Sequence, residues 1–159
     1  MFQDNLIILF TQNIPESISI TFTATVFLKA ELNKKLILII GVISGLSIFV
    51  LRQLPLTTGF HTIINIFLLT IMLNYYFNKN SIKCFIAVLK TIFILTIIEV
   101  IVPSLIIKFT YIDLNYILES PIITTLIMLP QIIFVFLIGF IIYKRRKIYE
   151  LWKSYSWFK

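Results

Sequence analysis

The chain has one cysteine, Cys84, and one histidine, His61. A lone cysteine rules out an internal disulfide, and a lone histidine removes most metal sites. Charge is sparse too. Only 13% of the 159 residues are charged and only seven are acidic, whereas a soluble domain carries about 25% charged residues. No Gly-rich phosphate loop, metal-ligand cluster or serine-nucleophile motif is present. No cofactor and no metal are therefore expected, and the chain reads as a non-enzyme. A cleavable signal peptide is not expected either, because the first apolar stretch lacks a basic leading region and a small-residue cleavage site.

What fills the space is apolar. Hydrophobic residues make up 59% of the chain and the mean hydropathy is +1.00. A single domain of this length has no interior large enough to hold that much apolar surface, so lipid must solvate much of it. The reading is an all-α, polytopic membrane helix bundle. Five stretches approach the ~20 residues needed to cross a ~30 Å hydrocarbon core. They run from Asn5 to Leu28, Lys35 to Leu51, His61 to Phe77, Lys83 to Ile107 and Pro121 to Tyr143. Residues 1–143 form the bundle, and 144–159 form a basic, aromatic tail. Tyr111, Leu114, Ile117 and Leu118 recur at helical spacing between the last two stretches, as in a short amphipathic helix on the outer surface.

The net charge of +7 does not point to nucleic acid, because the basic residues sit at the ends of apolar stretches. Lys29, Lys34 and Lys35 follow the first stretch, Lys79 and Lys83 follow the third, and Lys144, Arg145, Arg146, Lys147, Lys153 and Lys159 follow the fifth. The intervening connections offer only Arg52 and Lys108. The positive-inside rule then sets the N-terminus outside and the C-terminus in the cytoplasm, which an odd number of spans requires. The localisation that follows is the bacterial cytoplasmic membrane. Lys90 is expected to snorkel to the cytoplasmic interface.

Polar residues inside apolar helices are costly and need a reason. Counted at ~1.5 Å per residue from the cytoplasmic ends, Glu16, Gln131, Glu99, His61 and Arg52 all fall about 18–26 Å up, in one outer-half layer. Each comes from a different stretch, and all five prolines lie in the same half. Three accounts of this layer stand open. Arg52 pairs with Glu99 or Glu16 and ties the bundle together, or the layer lines an outward-facing ligand pocket, or it forms part of an ion pathway. Gly41 and Gly45 form a GxxxG pattern, which reads as a helix-packing surface. A Cys84–His61 peptidase pair is rejected, since the two lie near opposite membrane faces and a catalytic dyad needs hydrogen-bond reach.

At LRQLPLTTGFHTIINIFLLTIMLNYYF and at SPIITTLIMLPQIIFVFLIGFIIYKRRK the chain resembles a group of clostridial membrane modules, namely the N-terminal membrane-embedded sensor regions of peptide-pheromone-type sensor histidine kinases. The matching elements are Arg52, Leu54, Pro55, Gly59, His61 and Thr62, then Leu129, Pro130 and Gln131, with Glu99 and Pro103 on the fourth helix. The resemblance implies an outward-facing sensor pocket and a signalling output. Residues 144–159 contain no histidine to serve as phosphoacceptor, so a free-standing sensor-like module, or the membrane portion of something longer, is expected. The partners implied are the lipid bilayer, a cytoplasmic signalling partner such as a kinase, and a second copy in a homo-oligomer. The competing readings are a small transporter subunit that captures substrate and a structural membrane assembly subunit.

Overall fold

A computed structural model describes residues 7–54, 59–110 and 121–156. Every regular element among them is a helix, and the arrangement is a membrane-type helix bundle. A π-helical turn, Leu9–Asn13, leads into α1, Ile14–Phe27; then come α2, Lys34–Gln53, α3, Phe60–Phe77, α4, Ser81–Thr110, and α5, Pro121–Ser156. The expected amphipathic segment at Tyr111–Glu119, Pro55, and the tail residues Trp157 and Phe158 lie outside the described residues.

Four helices, α2 to α5, contain segments long and apolar enough to cross a membrane. They expose large apolar side chains along their outer faces, among them Val50, Phe67, Ile71, Phe93, Val100 and Phe140. Such faces are left uncovered by the described residues and suit lipid. The first helix is built differently. The continuous helical stretch 7–27 covers about 31 Å at 1.5 Å per residue, yet it is rich in hydroxyl and amide groups. It packs against α2, α4 and α5. Ser17, Ser19, Thr21, Thr23 and Thr25 are all buried. Two of the hydroxyls are satisfied within the helix, Thr21 Oγ1 donating to the Ser17 carbonyl (2.8 Å) and Thr25 Oγ1 to the Thr21 carbonyl (2.7 Å). The other four helices pack in chain order, with α2 against α3, α3 against α4 and α4 against α5.

Local chemistry explains where the helices start, stop and bend. Proline 15 has no N–H to give and its ring crowds the carbonyl four residues back. The chain relieves this by widening the preceding turn, and the Ile14 N–H bonds the Leu9 carbonyl in a π register. At its other end α1 closes in a Schellman arrangement, with Ala30 N–H on the Thr25 carbonyl (3.3 Å), Lys29 N–H on the Val26 carbonyl (3.1 Å) and Lys29 itself left-handed at φ 55°. The Asn33 side chain caps α2 by accepting from Lys35 N–H (3.1 Å) and Leu36 N–H (3.3 Å). Gly59, at φ 100°, turns the chain into α3.

The connections give the bundle two ends. The Arg52 end carries the start of α1, the end of α2, the start of α3, the end of α4 and the start of α5. The lysine end carries Lys29, Lys34, Lys79 and Lys83. The apolar core lies toward the lysine end, around Ala24, Leu28, Leu69, Leu73, Cys84, Ala87 and Val88. No structural break occurs at Tyr143, where the charge pattern divides bundle from tail. There α5 continues as one helix to Ser156, so the basic residues from Lys144 lie on the same helix as the last span.

Candidate functional site

Helix α1 lies directly on α2 because two glycines allow it. A Cβ on Gly41 would stand 2.8 Å from the Ile18 Cα, and one on Gly45 would stand 3.0 Å from the Asn13 carbonyl oxygen. This is the close backbone approach expected of the GxxxG pattern. Beyond Gly45 the same face of α2 reaches Arg52. Helical side chains lean toward the helix N-terminus, so Arg52 leans back along α2 toward α1 and donates from Nη1 to Asn13 Oδ1 at 2.8 Å. Asn13 is buried, in the widened turn before Pro15.

The sequence-based pairing of Arg52 with Glu99 or Glu16 therefore needs correction. Asn13 takes the guanidinium, and no ion pair among the described residues joins Arg52 to either carboxylate. The reason is reach: α1 is held close by the glycine contact, and the π turn presents Asn13 to α2. Both carboxylates remain near. Arg52 and Glu99 each act electrostatically on Glu16, and all three line one cavity of about 120 Å³.

That cavity is the candidate site. Glu16 and Ile20 come from α1, Ile48 and Arg52 from α2, His61, Thr62 and Asn65 from α3, and Ile92, Leu95, Thr96 and Glu99 from α4. Arg52 and Glu99 are exposed at its rim, Glu16 and His61 are half-buried, and Ile20, Ile48, Asn65 and Leu95 are buried around its floor. The floor is tied by Ser44 Oγ donating to Asn65 Oδ1 at 2.7 Å, which links α2 to α3. His61 and Asn65 are one turn apart on α3, and Thr96 and Glu99 nearly one turn apart on α4, so each helix presents one face to the cavity. Proline 103, one turn beyond Glu99 on α4, has no N–H to give to the Glu99 backbone carbonyl.

Four of the five sequence-selected residues, Glu16, Arg52, His61 and Glu99, are thus brought together. Gln131 is not. It is fully buried on α5, which contributes nothing to the cavity lining. Among the described residues, neither Gln131 Oε1 nor Nε2 has a hydrogen-bond partner, and Ser17 Oγ on α1 and Thr125 Oγ1 on α5 are also unpartnered. Depth along the helix axis groups Gln131 with the others, but α5 packs on α1 and α4 and none of its described residues lines the cavity. The α1–α5 contact nearby is polar as well, Thr23 Oγ1 donating to the Val135 carbonyl at 3.1 Å. Asn13 is the residue the sequence reading missed. Its only signal was its place in the polar run Gln12–Asn13 just ahead of Pro15.

The described residues contain no group of three or more His, Cys, Asp or Glu side chains arranged to hold a metal ion. Comparisons with protein-family models, with curated proteins and with solved structures return no match for this chain.

Proposed function

We propose that this chain is a non-enzymatic sensor or regulatory module of a bacterial cytoplasmic membrane, akin to the kinase sensor regions that parts of its sequence resemble. In this reading the Arg52 end faces outside, and the lysine end and the basic extension of α5 face the cytoplasm. One observation carries it. Both signs of charge, from three helices, meet with polar groups of a fourth in one cavity at one end of the bundle, while the core toward the other end is apolar. A transporter needs a route to both sides in turn; a receptor needs an outer site and a mechanical link inward.

The cavity's size narrows the ligand. At about 120 Å³ it is well below the roughly 300–1,000 Å³ of whole-ligand pockets. It suits one charged end group of a peptide-like or zwitterionic ligand, with an ammonium facing Glu16 and Glu99 or a carboxylate facing Arg52 and His61. The link inward is α1, which packs against α2, α4 and α5 at once. A shift of α1 on α5 carries the basic extension with it and repositions it for a cytoplasmic partner such as a kinase.

The test uses short zwitterionic peptides screened by thermal shift of the full chain in detergent. A peptide that binds should alter trypsin cleavage after Arg145 and Lys147 in vesicles, without accumulating inside them. Glu99→Gln with His61→Ala should weaken its binding by roughly ten-fold or more, as loss of a charged hydrogen bond implies. Gln131→Ala should leave binding nearly intact. Accumulation of labelled peptide in proteoliposomes would favour the transporter-subunit reading, and unchanged binding in the Glu99/His61 variant would place the site elsewhere.

A further inference from the structure

A second polar cavity lies at the opposite end of the bundle, and its charge is all of one sign. It has a volume of about 430 Å³ and is lined by Lys29, Lys79, Lys83 and Lys90 together with Phe27, Leu28, Ile86 and Ala87. Among the described residues, no acidic side chain lines it. The lysines come from three separate parts of the chain, and each is positioned by local structure. Lys29 is the left-handed residue that closes α1. Lys79 sits in the α3–α4 turn, where its carbonyl accepts from Asn74 Nδ2 and from Cys84 Sγ, while the Asn80 side chain caps α4 through the Ile82 N–H at 2.9 Å. Lys83, Ile86, Ala87 and Lys90 follow at i, i+3, i+4 and i+7, one face of α4.

Depth is the informative feature. Lys90 lies about 10 Å further along α4 than Lys83, well inside the apolar segment. An ammonium at that level is costly unless it snorkels or meets an anion. Four ammonium groups around one cavity repel one another, so the cavity is suited to a ligand that supplies negative charge. Phe27, Leu28 and Ile86 form an apolar wall beside the charges. A phosphate with a hydrocarbon tail satisfies both features, and a bilayer supplies it at the interface toward which Lys90 snorkels.

We propose that this cavity is a binding site for the phosphate headgroup of an anionic phospholipid, with Lys29, Lys79, Lys83 and Lys90 around the phosphate and an acyl chain along Phe27, Leu28 and Ile86. The site is independent of the Arg52-end cavity. Basic pockets between membrane helices bind acidic headgroups by this chemistry. An occupant there bridges the end of α1 to α4.

The experiment measures the melting temperature of the full chain in dodecyl maltoside with added phosphatidylglycerol, phosphatidylcholine or inorganic phosphate, and counts retained lipid by native mass spectrometry. Phosphatidylglycerol should raise the melting temperature and be retained, and the other two should do neither. In Lys83→Gln/Lys90→Gln the phosphatidylglycerol concentration for half-maximal effect should rise on the order of thirty-fold, each lysine being worth roughly five-fold near an anionic headgroup. Lys83→Arg/Lys90→Arg should keep the response, which guards against a Gln variant that fails to fold. Lys144→Gln/Lys147→Gln, with the same change in net charge elsewhere, should also keep it. An equal loss in that control, an equal effect of phosphatidylcholine, or an equal effect of inorganic phosphate would each overturn the assignment.

Discussion

Arg52 donates to the neutral amide of Asn13, although two carboxylates line the same cavity. That bond is a charge-assisted one across two helices, worth about 1.5–3 kcal/mol. A double-mutant cycle in detergent on Arg52→Gln and Asn13→Ala should therefore show a coupling of at least ~1 kcal/mol, of the size found for residues in contact. The same cycle on Arg52 and Glu99 should give a smaller coupling. A larger one would restore the ion pair as the main tie. Gln131 presents the opposite case. Its amide is buried with both polar atoms unpartnered among the described residues, and an unmade buried hydrogen bond costs about 1–3 kcal/mol. Gln131→Met keeps the length of the side chain and removes the amide, so it should stabilise the chain by about 1–2 kcal/mol, read as a higher melting temperature. A lower one would mean that the amide has a partner such as bound water.

Among the elements, α1 is the one whose packing leaves least slack. Its backbone meets α2 at Gly41 and Gly45 and its side chains meet α5 at Gly139, where an added Cβ would stand 2.5 Å from Thr23 Oγ1. At Gly41 the obstructing atoms include the Ile18 backbone, which cannot rotate away. Gly41→Ala should cost about 1–3 kcal/mol through overpacking and should also disturb the Arg52–Asn13 bond on the same face. Gly59→Ala tests a different mechanism. Among the described residues nothing lies within 4 Å of its Cβ position, yet its φ is 100°, so the cost expected there is backbone strain, about 1–2 kcal/mol. If Gly41→Ala melts with the parent chain, the α1–α2 contact is looser than these distances imply.

For the molecule as a whole, the central expectation is topology. The lysine distribution demands that the end bearing Lys29, Lys79, Lys83 and the α5 extension face the cytoplasm. A reporter active only in the cytoplasm, fused after Lys159, should be active, and one active only outside, inserted between Tyr111 and Glu119, should be active as well. A silent C-terminal reporter would reverse the bundle. It would turn the mixed-charge cavity inward and remove the case for a receptor.

Membrane character and helix limits could be read from the chain directly, because they depend on short-range composition. Spans inferred at Lys35–Leu51, His61–Phe77 and Lys83–Ile107 differ by at most three residues at either end from α2, α3 and α4. Runs of apolar residues, Asn33 as a cap and Gly59 before a helix are local signals, and the structure uses them locally. The layer of Glu16, Arg52, His61 and Glu99 was also legible, since depth follows from counting residues along an axis. What counting cannot supply is azimuth. Which neighbour a helix face meets depends on how all the helices pack, and that packing set Gln131 apart from the cavity. It also gave Arg52 to Asn13, through a turn widened by Pro15 and a helix contact permitted by Gly41 and Gly45. The gathering of Lys29, Lys79, Lys83 and Lys90 is of the same kind. Each lysine marks a membrane edge by itself, but only the packing of α1 against α4 makes them the walls of one cavity.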